Sequence, residues 1–245
     1  MIRFVRKTLA SFRRTRALLA RLKAPSQPLP GGRQRWIEHS MDWLATEFGR
    51  EVLLRPVVLP AAVIPVDYDG SLQAARSLCA EIARRMDVDL DRIELAFDLT
   101  TQRPLAAKGP LRTIRERSGE WARGEPRNRI RLAPELAADP VAMVAVFAHE
   151  LGHELLLGAR RVQVSRPDQE PLTDLLTVFF GLGIFTANAS FDVRPHPSGR
   201  GKQPLARGYL REDALAEAMA YYARLRGERH PAWRKHLDRP VRVVV

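Results

Sequence analysis

The sequence predicts an α+β fold: a helix-rich domain with a small sheet packed on one central helix, preceded by a basic helix. Three observations lead there. Apolar residues recur at helical spacing in several segments, the segment at residues 139–158 is apolar nearly all round, and an alternating stretch at residues 93–99 and a short strand at residues 130–133 precede it. With 245 residues and 45% hydrophobic content, the chain has room for one domain of ample core plus an appendage. The expected division is residues 1–33 for the basic helix and its linker, and residues 34–245 for the domain.

Taken in order, residues 1–24 carry Arg3, Arg6, Lys7, Arg13, Arg14, Arg16, Arg21 and Lys23 with no acid, interleaved with Ile2, Phe4, Val5, Leu9, Phe12, Leu18, Leu19 and Leu22. This is a basic amphipathic helix, stopped by Pro25-Ser26-Gln27-Pro28-Leu29-Pro30-Gly31-Gly32. Its apolar residues are too scattered for a secretory signal. Such a helix can lie on an anionic membrane surface or contact nucleic-acid phosphates without sequence preference. It can equally pack on the body of the protein and leave a solvated basic face. The net charge of +12 favours acidic partners without naming one.

Residues 34–50 read as a helix bearing Trp36, Ile37, Met41, Trp43, Leu44 and Phe48, ended by Gly49. Residues 52–66 are apolar but broken by Pro56, Pro60 and Pro65, which predicts an irregular extended segment. Tyr68-Asp69-Gly70-Ser71 is a turn into a helix reaching about Met86, with Asp69 or Ser71 as cap. Cys79 shares that helix's stripe with Ala75, Leu78, Ile82, Ala83 and Met86, so it reads as packing. A single cysteine excludes a disulfide framework within the chain and favours a reducing compartment. No run reaches the ~18 apolar residues of a membrane span. The expected location is therefore cytoplasmic, with peripheral membrane contact through residues 1–24 left open beside packing of that helix on the domain. Residues 93–99 and 111–117 read as strands, Ser118-Gly119 as a turn, and residues 130–133 as a short strand.

The segment that follows carries the chemistry. Asp139 and Pro140 supply a favoured N-cap and first position, and Gly158 marks the end. Val141, Val144, Ala145, Phe147, Ala148, Leu151, Leu155 and Leu156 predict burial on every side. Within this run stands His149-Glu150-Leu151-Gly152-His153. Residues four apart stack on one helix face, so His149 and His153 can bind one cation, with Glu150 beside them to deprotonate a metal-bound water. Polar groups in such a setting need partners, and a metal supplies one. Core histidines bonded to backbone or glutamate are the plainer alternative.

A third ligand is available from Asp168-Gln169-Glu170-Pro171-Leu172-Thr173-Asp174, ahead of an apolar run at residues 175–185. Asp168 suits an N-cap, and Pro171 still falls in the first turn. Glu170 and Asp174 share a face. The ten-residue loop at residues 158–167 spans up to ~33 Å, so the second helix can return to the metal. Asp168 and Asp174 stay open beside Glu170 as third ligand.

In these motifs the chain resembles the gluzincin metallopeptidases, in which H-E-x-x-H is followed on a second helix by E-x-x-x-D. The arrangement is similar to that of small bacterial zincin-like proteins and covers about residues 128–185. The resemblance implies His149, His153 and Glu170 as zinc ligands and Glu150 as general base. It also implies Asp174 as the acceptor that fixes the tautomer of a ligand histidine, His149. Glu154 departs from the pattern, being charged where such helices carry an uncharged residue. A zincin-like fold further implies a strand beside the cleft that pairs with an extended peptide. Residues 128–133 are the expected strand.

Beyond the second helix, residues 194–208 read as a long Pro/Gly/basic loop, a lid or a connector. Residues 211–226 read as a closing helix with Leu215, Met219 and Tyr222 on one stripe. His196, Tyr209, Tyr221 and Tyr222 are the candidates to stabilise charge on a carbonyl oxygen. The expected function is that of a zinc-dependent peptidase acting on a peptide or protein. The alternative is a non-catalytic zinc-containing protein that docks to membrane or nucleic acid through residues 1–24.

Overall fold

The structure, a computed structural model, describes residues 32–100, 114–115, 118–195, 202–206, 208–242 and 244–245. The basic helix expected at residues 1–24, the stretch to residue 31 and His196 lie outside them.

Helix α1 (Arg33–Phe48) buries Trp36, Ile37, Met41 and Leu44, the stripe expected of it. Gly49 ends it at φ 93, a backbone angle that favours glycine. The proline-broken segment holds two single-turn helices, α2 (Arg50–Leu53) and α3 (Pro60–Val63), in place of an extended run. Pro60 opens α3, where its missing N–H is not needed. Helix α4 (Leu72–Arg85) is capped by Ser71, whose Oγ accepts the Ala74 N–H at 3.1 Å, while Asp69 accepts the Ser71 N–H at 2.9 Å. Cys79 is buried on α4 as expected, and burial pushes its thiol up to about 12.

Strands β1 (Ile93–Ala96), β3 (Gly119–Ala122) and β4 (Asn128–Leu132) form one sheet, in the order β1-β4-β3. Strand β4 pairs parallel with β1, Ile93 opposite Asn128, and antiparallel with β3, Trp121 opposite Ile130. This corrects two expectations. Ser118-Gly119 leads into a strand instead of turning, and the strand at residues 128–133 lies in the centre of its sheet, so among the described residues β3 is the edge beside the cleft. Gly-Glu-Trp-Ala lacks the apolar alternation that signals a strand, which is why β3 escapes a reading by pattern.

Helix α5 (Pro140–His153) follows, with Asp139 Oδ1 accepting the Ala142 N–H at 3.0 Å. It continues as one π turn over Glu154–Gly158. The stretch Pro140–Gly158 is long and apolar enough to cross a membrane, but it serves as the core helix, packed by α4, β3 and the two helices that follow. Those are α6 (Gln169–Phe179) and α7 (Gly183–Ala189). The apolar run expected as one helix breaks at Gly181, where φ is 79 and the carbonyl accepts the Val58 N–H at 2.9 Å.

Strands β5 (Phe191–Pro195) and β6 (Lys202–Ala206) pair antiparallel where a loop was expected, and the two-residue strand β2 (Ile114–Arg115) joins β6 in parallel. Helix α8 (Glu212–Arg226) buries Leu215, Met219 and Tyr222, and Gly227 closes it in the left-handed conformation. A last turn, α9 (Arg239–Arg242), packs on α8, and α1 lies across α6 and α8. The fold is α+β and helix-rich, with a small sheet on the central helix.

Candidate metal centre

Asp139 and Pro140 set the register of α5, and that register turns His149 and His153 to the same side, their ring centroids 4.7 Å apart. Helix α6 comes close enough to meet them because Gly152 has no side chain. A Cβ there would lie 2.6 Å from Thr173 Cγ2. The first turn of α6 thereby brings Glu170 Oε2 to 3.0 Å from His149 Nε2 and 3.3 Å from His153 Nε2. The three donor atoms lie within 4.8 Å of one another. Ligands held at roughly 2.0–2.1 Å around a tetrahedral divalent ion sit about 3.3 Å apart, so the spacing fits. His149, His153 and Glu170 are a group able to hold a metal ion.

Asp174, one turn after Glu170, is the residue that the resemblance implies as the partner of a ligand histidine. His149 donates its Nδ1–H to Asp174 Oδ1 at 2.8 Å, which leaves Nε2 facing Glu170. The other oxygen, Oδ2, accepts the backbone N–H groups of Tyr209 and Leu210 at 2.5 and 2.7 Å. Gly208 makes that approach feasible, with φ 83 and an open side facing the carboxylate. His153 has a weaker counterpart in Thr173, whose hydroxyl donates to the Gln169 carbonyl at 2.8 Å and stands 3.5 Å from His153 Nδ1.

These contacts set the electrostatics. Burial by itself lowers the pKa of His149, but hydrogen bonds to Asp174 and Glu170 outweigh it and lift the imidazole to about 10. Burial likewise raises Glu170, yet the hydrogen bonds from His149 and His153 hold it well below the usual carboxylate range.

The three residues line a cleft of about 260 Å³ together with Glu150, Gly119, Trp121, Leu157, Val164 and Tyr209. Glu150 is buried beneath β3. A Cβ on Gly119 would stand 2.5 Å from its Oε1, so the carboxylate occupies space that any other residue at 119 would fill. Tyr209 stacks on His149, centroids 5.5 Å apart and planes 18° from parallel. Of the other tyrosine candidates, Tyr221 donates its hydroxyl to Asp42 and Tyr222 is buried beside Arg226, both away from the cleft.

Asp168 is no ligand. It pairs with Arg166 at 2.6 Å and accepts the Trp36 indole N–H at 2.7 Å, anchoring the start of α6 to α1. Its side chain does not cap the helix either. Gly119, Trp121, Thr173 and Gly208 are the site residues that the motifs do not reveal, since each acts across a tertiary contact. Comparison with known protein families, curated proteins and solved structures finds no match for the chain.

Proposed function

We propose that the protein is a zinc-dependent hydrolase, a peptidase of the gluzincin kind. The observation that carries this reading is the convergence of His149, His153 and Glu170 from two helices, with Glu150 buried on the wall of the same cleft. Two imidazoles and one carboxylate suit zinc in a site that keeps a position open. Zinc held there supplies a Lewis acid that polarises a carbonyl and brings the pKa of bound water toward ~7.

The chain's own groups do the rest. Glu150 takes the proton of the attacking water and passes it to the leaving amine. Asp174, gripped by two backbone N–H groups, holds the His149 ring with Nε2 toward the ligand position. The Tyr209 hydroxyl is the candidate donor to the carbonyl oxygen, because its ring lies against His149 at the cleft. Strand β3, an edge strand whose residues Gly119 to Trp121 line the cleft, offers backbone groups to an extended peptide.

Metal analysis of the purified protein, paired with peptide hydrolysis by wild type and Glu150→Gln, tests this. We expect about one zinc per chain in both proteins and a loss of about 10²–10⁴-fold in kcat for Glu150→Gln. Equal activity in the two would remove Glu150 from its role. Zinc without hydrolysis of any peptide would favour the non-catalytic docking protein instead, and removing residues 1–30 would then abolish its association with anionic vesicles or nucleic acid.

A further inference from the structure

Glu154 follows His153 directly and opens the π turn that ends the core helix. Its Oε2 accepts two hydrogen bonds, from the Trp121 indole Nε1–H at 2.8 Å and from the Asn128 amide Nδ2–H at 2.8 Å. Asn128 Oδ1 in turn accepts the Gly124 N–H at 3.2 Å, so one carboxylate secures β3, β4 and the turn between them. A second tie lies alongside, where Arg123 donates to the Leu157 carbonyl at 2.6 Å. The hairpin is thus strapped to the π turn, and the π turn belongs to the helix that carries both histidines.

Two details mark the strap as built for the cleft. Trp121 lines it, with its ring centroid 6.3 Å from that of His153. Gly158 makes room for the carboxylate, since a Cβ there would lie 2.6 Å from Glu154 Cδ. The accepting oxygen has two lone pairs, one for each donor.

We propose that Glu154 is a positioning residue that sets the height of the edge strand above the two histidines, acting through Trp121. The proposal rests on the reading of β3 as the strand that receives an extended substrate. Glu154 does not touch substrate or metal. It fixes the width of the gap in which a peptide backbone lies between β3 and the ligand residues.

The test uses the full chain with zinc and the variants Glu154→Leu, Glu154→Gln, Gly158→Ala and Trp121→Phe. Gly158→Ala is the gentle route, because the added methyl displaces only the end of the Glu154 side chain. Zinc affinity, measured by competition with a chromophoric chelator, should stay within about threefold of wild type in all four, because the ligands are untouched. The near-ultraviolet dichroism that Trp121→Phe removes should also vanish in Glu154→Leu and Gly158→Ala and persist in Glu154→Gln, which keeps an acceptor. Binding of an extended peptide hydroxamate, and KM for a cleaved peptide, should weaken about tenfold in Glu154→Leu and Gly158→Ala. We expect kcat to change less than about threefold and Glu154→Gln to recover most of the loss. In a Trp121→Phe background Glu154→Leu should add less than about twofold.

An unchanged Trp121 signal in Glu154→Leu overturns the proposal. So does a fall in zinc affinity that tracks the loss of peptide binding, or full additivity with Trp121→Phe. Wild-type protein that holds zinc but neither binds nor cleaves peptides defeats the peptidase reading instead, and the Trp121 signal then tests the strap by itself.

Discussion

Glu150 and residue 119 compete for one small volume, and the chain resolves the competition by having glycine at 119. Gly119→Ala should push the Glu150 carboxylate aside and, in the hydrolase proposed above, lower kcat by at least about tenfold while zinc stays bound, since general-base catalysis depends on placement within hydrogen-bond reach. Steady-state kinetics beside metal analysis checks this, and unchanged kcat would mean that Glu150 has slack. His149 leads to a second expectation. With its pKa lifted to about 10, metal must displace its proton at any lower pH. Calorimetry at pH 7.5 in buffers of different ionisation heat should therefore register release of about one proton per metal, and apparent affinity should climb about tenfold per pH unit toward pH 10. In the chelated protein the raised His149 stabilises the fold fully below its ordinary 6.5 and loses that contribution as pH climbs to about 10. Glu170, held low, contributes above its ordinary 4.5 and loses that contribution as pH falls below it. Denaturation midpoints of the chelated protein should thus be highest between those two values. The histidine pair is legible in the sequence from its i, i+4 spacing, and Glu170 and Asp174 repeat that spacing, but only the resemblance singles out Glu170 from Asp168 and Asp174. The backbone grip of Tyr209 and Leu210 on Asp174 joins segments 35 and 36 residues apart, and no local pattern announces it.

Helix α5 and helix α6 divide the three candidate ligands between them, so the distance between their axes governs the site. Gly152 keeps that distance short. Alanine in place of a mid-helix glycine ordinarily gains about 1 kcal/mol from helix propensity alone. Gly152→Ala should do the opposite here: crowding against Thr173 should destabilise the fold by about 1–3 kcal/mol and weaken metal binding at least about tenfold. Denaturant titration and chelator competition measure both, and a stabilised variant that binds metal normally would refute the close-approach argument. Elements with an apolar stripe, such as α1, α4 and α8, are readable from the chain because burial imposes 3.6-residue spacing on them, and α5 is readable from its caps and its continuous apolar run. The edge strand is not, because Gly119 has no side chain to mark a buried face and Trp121 alone does not make an alternating pattern. The break at Gly181 hides for a different cause: a glycine in an apolar run reads as tolerated, yet here its positive φ and its contact with Val58 end the helix.

For the molecule as a whole, a metal at this centre would clasp α5 to α6 and, through Asp174, to the Tyr209-Leu210 backbone that leads into α8. Binding to the native state alone stabilises it by mass action, by about 4 kcal/mol when free metal stands at a thousand times its dissociation constant. Chelation should accordingly lower the thermal midpoint by several degrees, and readdition of zinc should restore it. Scanning calorimetry that finds the same midpoint with and without chelator would argue against a clasp. The α+β class follows from composition and period, whereas the pairing of β5 with β6 does not, since Pro, Gly and basic residues there resemble a loop. One practical consequence comes from Cys79. The chain's single thiol is buried and held far from ionisation at neutral pH, so alkylating reagents should leave it untouched. A cysteine introduced at exposed Ala122, the last residue of β3, would then be the one thiol to accept a fluorophore, turning the end of the edge strand into an optical reporter of docking.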